Sequence, residues 1–381
     1  MTAVAQCNPL WRRAALVVLV MTGAVAQAAP PRYHATALSS GNSQAYGLNR
    51  LGDVSLAADD LGGLVGAWVD GMLVPVPLGS GSRPSGDGKV GVLVDNGDGR
   101  QRPGLFDLRS GTTIEVGPPH SLPPIVMDAN VSGVAVGFAT EAPPNAKVFL
   151  GGSEIDLGQG SVNAINHSGA VAGTLWAYDP LQDTSAWRAF AAGPGLTSLQ
   201  WIAPFAGGLS SEARDISGSL VVGSSDVAAG SGSQAFVHHL RSGRTQPLPA
   251  LGGSWSGALG VNQQDWIVGW STSPGDADYR AALWTSRRRV HDLNALSDVP
   301  AGWTLYEAVD INPQGQIVAN AMDASGAIKA FLLAPVQGAR VVPTAQRPAV
   351  SRQRLCAQVD ALTAIGTRRQ PAACRGIRAG R

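Results

Sequence analysis

This chain of 381 residues has little charge and no long runs of helix-forming residues. Asp, Glu, Lys and Arg together make up 14% of it, whereas glycine occurs 48 times. Between the glycines, Val, Leu, Trp and Thr come in short bursts, which are typical of β-strands separated by turns. The composition therefore excludes a helical bundle and predicts an all-β fold.

Cysteine is also scarce, with only Cys7, Cys356 and Cys374 present. Neither Cys356 nor Cys374 has a histidine or a further cysteine near it in sequence, which excludes the usual spacing of a zinc site. Cys7 precedes an apolar segment, and no lipobox follows it, so we do not expect a lipid anchor. In an exported chain two cysteines are expected to pair. We therefore predict a disulfide between Cys356 and Cys374.

Catalytic motifs are missing as well, because the chain has no G-x-S-x-G elbow and no H-E-x-x-H pair. The text VDNGDG, Val94 to Gly99, resembles the calcium loops of integrin-α-like propellers. Apolar Val94 stands where a ligand is needed, so a plain Asp-Gly turn is favoured. His238 and His239 are adjacent on a predicted strand, point to opposite faces and cannot share a metal ion. The sequence thus assigns no catalytic residue, metal or cofactor.

No apolar run is long enough to span a bilayer. The one candidate, Ala14 to Val25, follows two arginines and precedes the small-residue pattern Ala26-Gln27-Ala28. This arrangement predicts a secretory signal peptide over residues 1–28, with a mature chain that starts near Ala29 and keeps no transmembrane anchor. The alternative is a lone N-terminal membrane anchor, against which the early Pro30-Pro31 counts.

Charge is divided unevenly along the chain. From Pro30 to Pro335 there are 17 basic and 26 acidic residues, a net charge of −9, whereas nine arginines and Asp360 give +8 from Val336 onward. Residues 337–381 therefore form a basic tail, in which Leu355, Val359 and Leu362 predict one face of a short helix. The tail either contacts an anionic envelope surface or the acidic body, or is solvated and weakly ordered. Nothing indicates a specific nucleic-acid partner.

The body of the chain is repetitive. The text ALGVNQQDWIVGW, Ala258 to Trp270, returns as AVDINPQGQIVAN, Ala308 to Asn320, and five weaker copies precede the pair, the most degenerate at RPSGDGKVGV. Their turn residues are Gly52, Gly88, Gly133, Gly169, Ser219, Asp265 and Gly315. The spacings, about 36 to 50 residues, are those of a repeat array. Each copy predicts a β-hairpin, because Asn and Gly accept tight-turn conformations between apolar strands.

A second hairpin follows each first one, so a copy holds four short strands. Four strands are the content of a propeller blade. We therefore predict a β-propeller over residues 29–336, most plausibly with seven blades. Its last blade lacks an outgoing strand, and we expect the orphan strand Arg32 to Leu38 to pair beside Lys329 to Leu333 and close the ring. Six blades, an open solenoid and two packed sandwiches are the alternatives.

The stretch from about Gln234 to Leu333 resembles the HAF-repeat family of bacterial extracellular proteins. The similar texts are QAF at Gln234, LPALGG at Leu248, SGALGVN at Ser256 and DINPQGQIV at Asp310. The resemblance implies an exported repeat protein, secreted or periplasmic, and supplies no catalytic residue.

These features indicate a non-enzymatic binding or scaffolding module with an unknown protein or glycan as partner. Trp255 and Trp303 are the candidate surface-binding residues, because both follow glycine in loop-like text where an aromatic face could be exposed. The alternative is a propeller hydrolase or lyase that acts on polysaccharide. Paired carboxylates lining a central funnel would favour that alternative.

Overall fold

The computed structural model describes residues 30–179, 183–228 and 232–336. The predicted signal peptide, the basic tail with its helix, and both Cys356 and Cys374 lie outside these residues. In the part described, the regular secondary structure is almost wholly β-strand, as the composition predicts. None of its helices has the length and apolar character needed to cross a membrane.

The described residues contain 26 strands in the following order. The first thirteen are β1 (Tyr33–Ala37), β2 (Ser43–Leu48), β3 (Val54–Ala58), β4 (Val65–Val69), β5 (Met72–Pro75), β6 (Lys89–Asp95), β7 (Gln101–Asp107), β8 (Thr113–Glu115), β9 (Pro124–Ala129), β10 (Ala135–Ala139), β11 (Asn145–Leu150), β12 (Ser153–Ile165) and β13 (Val171–Asp179). The others are β14 (Thr184–Gly193), β15 (Thr197–Ile202), β16 (Ser211–Ser217), β17 (Leu220–Ala228), β18 (Gly232–His239), β19 (Arg244–Pro247), β20 (Ser256–Val261), β21 (Ile267–Thr272), β22 (Tyr279–Ser286), β23 (Arg289–Asp292), β24 (Trp303–Ile311), β25 (Ile317–Asp323) and β26 (Ile328–Pro335). Helical structure is limited to α1 (Leu293–Leu296) and the 3₁₀ turns Asp59–Leu61, Pro194–Leu196 and Pro274–Asp276.

The strands form antiparallel sheets in which chain neighbours pair. Four sheets have four strands, in the orders β2-β3-β4-β5, β16-β17-β18-β19, β20-β21-β22-β23 and β1-β26-β25-β24. The long strand β12 belongs to two sheets, because its first half pairs with β11 and its second half with β13. Strands β6 to β8 form a three-stranded sheet, and an isolated bridge joins Gly79 to Val92 where a further strand would precede β6.

The repeated asparagine closes the first turn of five units. In the sixth copy the Oδ1 atom of Asn262 accepts hydrogen bonds from the backbone N–H groups of Gln264 and Trp266, both at 3.0 Å. The same pair of bonds is made by Asn49, Asn130, Asn166 and Asn312. A left-handed residue follows the asparagine, which explains the paired Asn and Gly of the repeat.

The fifth turn differs from the prediction. Ser219 is not its left-handed residue; Gly218 is, with a φ of 56°. Only Gly218 and Ser219 separate β16 from β17, and a two-residue hairpin turn of this kind takes a positive φ at its first central residue, where glycine is best tolerated.

Hydrogen bonds link the first turn of one unit to the first turn of the next. In four units the Nδ2 atom of the turn asparagine donates to a backbone oxygen of the next turn. These bonds join Asn49 to Ser85 O (3.0 Å), Asn166 to Gly218 O (2.9 Å), Asn262 to Asn312 O (3.1 Å) and Asn312 to Asn49 O (3.1 Å). The first turns therefore lie on one side of the molecule, together with the turns between third and fourth strands. We call this side the turn face, and the opposite side, with the connections between second and third strands, the pocket face.

Apolar side chains fill the space between consecutive sheets. Each contact contains buried residues from both sheets, for example Val74 with Val90, Leu105 with Val126, Val148 with Val162, Ala191 with Ile216, Val222 with Ile267, Leu283 with Ile311, and Leu56 with Val318. The last of these contacts joins the beginning of the described chain to its end.

Strand β1 pairs with β26, as the complementary ends of the body predict. Its register places Ala35 opposite Leu333 and Ala37 opposite Phe331. Tyr33 is 1% exposed, and Leu38, directly after the strand, is fully buried. The N-terminal strand thus belongs to the core of the last sheet.

We predict that deletion of residues 33–38 lowers the melting temperature by at least about 5 °C or causes aggregation. The deletion removes two buried side chains and leaves the backbone groups of β26 unpaired. Deletion of residues 337–381 is the control and should shift the melting temperature little. Differential scanning calorimetry of both variants checks this, and equal tolerance of the two deletions would contradict it.

Candidate ligand-binding site

A one-residue bulge shapes the first strand of most units. Between β9 and β10, Asp128 pairs with Val136 and Val126 with Gly137, so Met127 is left unpaired. Residues skipped in the same way are Tyr46, Asn163, Arg214, Leu259 and Val309. At the bulge, a Cβ atom on Gly137 would approach Ile125 O to 1.8 Å. The last glycine of the repeat pattern is therefore required by this close backbone approach.

The residue after the bulge brings the distant repeats together. Arg83, in the segment before β6, contacts Asp128, Asp215 and Asp310, which follow the bulges of β9, β16 and β24. Its Nη1 atom lies 2.5 Å from Asp215 Oδ1 and 3.9 Å from Asp128 Oδ2, and its Nε atom lies 2.9 Å from Asp310 Oδ2. The three aspartates are at most 3% exposed. We call these four residues the axial cluster.

Each aspartate of the axial cluster also binds the backbone of another unit. The bonds run from Leu48 N to Asp310 Oδ2 (2.9 Å), from Ile165 N to Asp128 Oδ2 (3.0 Å) and from Val261 N to Asp215 Oδ2 (2.7 Å). The cluster therefore joins sheets as well as placing a cation beside the carboxylates, and buried carboxylates are stable only with such partners.

One cation faces three carboxylates in the axial cluster, so the charges do not balance. Burial raises the pKa of Asp128 to about 7 and that of Asp310 to about 6, against the opposing attraction of Arg83. Burial opposes the charge of Arg83, but the three carboxylates outweigh burial and raise its pKa. The arginine thus stays charged, while protons are held among the carboxylates near neutral pH.

These carboxylates do not line an open central funnel. They are buried, and their oxygens already accept bonds from Arg83 and from backbone N–H groups. Paired acids lining a funnel would have favoured a polysaccharide-cleaving enzyme. The carboxylates found here instead bond to the protein itself and stabilise the fold. The cluster also explains why the second copy departs most from the repeat, since it supplies the arginine.

A cavity of about 420 Å³ opens on the pocket face, where β10, β12–β14 and β16–β17 meet. Six of its twelve lining residues carry hydroxyl groups and two are acids, although apolar atoms form most of its exposed lining; the residues are Phe138, Pro144, Gly160, Ser161, Thr174, Trp187, Ser210, Ser211, Glu212, Ser224, Ser225 and Asp226. The Oγ1 atom of Thr174, a residue only 6% exposed, makes no hydrogen bond among the described residues. The cavity thus places hydroxyl groups and two carboxylates beside the aromatic ring of Trp187.

Exposed aromatic rings lie in the strands next to this cavity, and one of them, Trp187, lines it. Trp176 and Trp187 face each other across β13 and β14 with ring centroids 5.2 Å apart, and they are 43% and 37% exposed. Tyr178 and Trp201, 60% and 50% exposed, line an adjoining cavity of about 370 Å³. Exposed clustered aromatic rings are costly unless they serve an interaction. These four residues form what we call the aromatic patch.

The residues singled out from sequence lie elsewhere. Trp255 is 37% exposed and comes just before β20. Trp303 is half-buried and begins β24 rather than lying in a loop; its ring packs edge-on against Phe331, and Lys329 Nζ lies 5.3 Å from its centroid. A binding role for either tryptophan stays a prediction. The aromatic patch was missed, although alternate aromatic residues in TLWAYD place Trp176 and Tyr178 on one side of a strand.

The remaining sequence candidates have internal partners. In the loop around Val94 to Gly99, Asp98 pairs with Arg102, with 2.5 Å between Oδ2 and Nη2. His238 is buried and bonds Thr245, whereas His239 is half-buried. Over residues 30–179, 183–228 and 232–336, no three His, Cys, Asp or Glu side chains are placed to hold a metal ion.

No protein-family model and no curated protein matches the chain. Solved structures do. The chain is 11% identical to Pyrococcus horikoshii acylaminoacyl peptidase in its orthorhombic crystal form, with a TM-score of 0.53 over 78% of this chain and 52% of the peptidase. The β-propeller domain of the Trilobed protease from Pyrococcus furiosus is 9% identical, with a TM-score of 0.46 over 74% of this chain and 84% of that domain. An oligogalacturonate lyase in complex with manganese is 12% identical, with a TM-score of 0.48 over 81% of this chain and 97% of the lyase.

At these identities the likeness concerns the fold alone. It agrees with a mostly-β fold of separate four-stranded sheets. The chain spans about half the length of the peptidase.

We predict that Arg83→Ala lowers the free energy of unfolding by about 3–5 kcal/mol. The substitution removes the only cation of the axial cluster and leaves three carboxylates buried without it. Arg100→Ala removes an exposed arginine and should cost no more than about 0.5 kcal/mol. Denaturant unfolding of both variants measures the difference, and similar values would show that the cluster does not stabilise the fold.

The raised pKa values of Asp128 and Asp310 predict a defined pH dependence. Their contribution to stability is fully present below the unfolded pKa of about 4 and is lost as the pH rises through the folded values near 6 and 7. Asp128→Asn cannot titrate at this position. The stability gap between wild type and this variant should therefore shrink by roughly 1 kcal/mol or more from pH 5 to pH 8. Thermal unfolding across that range measures the gap, and a constant gap would contradict the raised pKa of Asp128.

Proposed function

We propose that residues 29–336 form a closed seven-bladed β-propeller of the HAF-repeat type. Counting the two halves of β12 separately and the bridged segment before β6 gives seven units. Three observations support closure: β1 pairs with β26, Asn312 donates to Asn49 O, and Leu56 packs near Val318. A closed ring protects the sheet edges that an open array would expose.

The function that the geometry supports best is a non-enzymatic, exported module that binds a glycan on its pocket face. The aromatic patch beside the hydroxyl-lined cavity carries this proposal. Export rests on the predicted signal peptide and places the protein in the periplasm or the medium of a bacterium.

A glycan fits the chemistry of this face. Aromatic rings provide flat apolar surfaces against which the C–H face of a sugar ring can pack. Serine and threonine hydroxyls both donate and accept hydrogen bonds, and the carboxylates of Glu212 and Asp226 accept them. A pocket of mixed apolar walls and few convergent polar groups is the usual form of a small-molecule site.

A second candidate function is cleavage of the polysaccharide. Glu212 and Asp226 line the same cavity, and two carboxylates are the usual equipment for glycoside hydrolysis. Both have internal partners, since Glu212 pairs with Arg214 and Asp226 Oδ2 accepts the Ser210 N–H. Binding is therefore the better supported role.

We expect Trp187→Ala to weaken glycan binding by about tenfold or more, because it removes a ring that lines the cavity. Trp255→Ala is the matched control, as both tryptophans are 37% exposed. A glycan array on the mature protein identifies the ligand, and titration calorimetry compares the variants. Loss of binding in the Trp255 variant alone would move the site to the position expected from sequence.

The same preparations separate binding from catalysis. Incubation with the bound glycan should release no new reducing ends. Release that is abolished by Glu212→Gln or Asp226→Asn would establish the enzyme instead. Absence of any glycan from the array, with a protein recovered by pull-down, would overturn the glycan proposal.

A further inference from the structure

The turn face carries a group of arginines that the proposed binding site does not use. Arg241 lies in the turn between β18 and β19, and Arg244 is the first residue of β19. Arg287 and Arg288 lie in the turn between β22 and β23, and Arg289 is the first residue of β23. All five are exposed. None of them makes a salt bridge with an acid in the described part of the chain. We call these five residues the arginine turns.

The two turns are neighbours in space. Arg287 Nη1 donates to Gln246 Oε1 in β19 at 3.0 Å, which bridges the two sheets. His239 lies between them: burial and the charges of Arg287 and Arg244 lower its pKa, while Asp265 acts in the opposite direction. Five positive charges are thus grouped together, and Asp265 is the acid that acts on His239 beside them.

The basic tail leaves the body on the same face. Strand β26 holds the third place in its unit, as β18 and β22 do in theirs, so its end at Pro335 corresponds to the beginning of the arginine turns. Val336 follows, and the remaining segment contains nine arginines and Asp360. The described chain therefore ends, at Val336, on the turn face.

The pocket face has the opposite character. Its connections contain Asp60, Asp98, Asp276, Asp298 and Asp323. Hydrogen bonds from Arg102 and the Arg100 N–H lower the pKa of Asp98 to about 2, and those from Thr272 and the Ser254 N–H lower that of Asp276. Acids at these connections are therefore ionised at neutral pH.

We propose that the turn face binds the phosphate groups of an anionic phospholipid membrane through the arginine turns. Guanidinium groups bind phosphate oxygens in a bidentate manner. The arginine turns contain no aromatic residue on which nucleic-acid bases could stack. Charges presented on two adjacent projecting turns fit an extended charged surface, and this orientation leaves the acidic pocket face directed away from the membrane.

The proposal does not depend on the glycan site, because it concerns the other face. Membrane binding is measured by sedimentation of the full chain with two kinds of vesicle. One kind mixes phosphatidylglycerol with phosphatidylcholine, and the other contains phosphatidylcholine alone. We expect binding only to the vesicles that contain phosphatidylglycerol, with affinity falling as salt rises. Each arginine near such a surface contributes roughly fivefold in partitioning. Arg288→Ser with Arg289→Ser should therefore weaken binding about 25-fold.

Arg100→Ser with Arg280→Ser is the matched control, since it removes the same charge from the pocket face and should change binding much less. Equal losses in the two double variants would show that net charge alone acts, and would overturn the proposal. So would loss of all binding when only the tail arginines are replaced. Binding to soluble polyphosphate without binding to anionic vesicles would assign the site to a free polyanion instead and would also overturn it.

Discussion

The contact of Arg83 with three aspartates follows from a backbone problem. The bulges at the first strands bring the units together, and the N–H groups of Leu48, Ile165 and Val261 there need acceptors away from water. Carboxylates solve this, because each offers several acceptor positions to more than one unit. Three buried carboxylates then require a cation, and arginine alone combines a permanent charge with a fork of five donors.

The axial positions alternate between an acid and a small residue for the same reason. Each aspartate accepts a hydrogen bond from the backbone of a unit whose own axial residue is small. That small residue is Ala164 for Asp128, Gly260 for Asp215 and Gly47 for Asp310. Space requires this: a Cβ atom on Gly260 would lie 3.0 Å from the Asp310 Cα, and one on Gly47 would lie 2.8 Å from the Arg83 Cα. Three such pairs and one arginine account for seven axial positions, in agreement with the proposed number of blades.

Much of this fold could be predicted from the sequence, because hairpins are local. Asn and Gly at fixed spacing specify the turns, alternation of apolar residues specifies the strands, and the unmatched ends specify the pairing of β1 with β26. The role of Arg83 could not be read in the same way. Its copy looks degenerate, and its partners lie 45 to 227 residues away in sequence. The aromatic patch was missed because tryptophans in a repeat protein usually pack between sheets, and only burial distinguishes Trp187 from Trp284.

Repetition itself divides structural from functional residues in this molecule. Positions that recur, such as the turn asparagines and the glycine beside each bulge, have complete hydrogen bonding or packing within the body. They are therefore fixed by the fold and have no spare capacity for a ligand. Residues that occur in one unit alone are free of that constraint. The aromatic patch belongs to the unit of β12 to β15 and the arginine turns to the next two, so the recognition proposed for the two faces depends on side chains that the repeat does not specify.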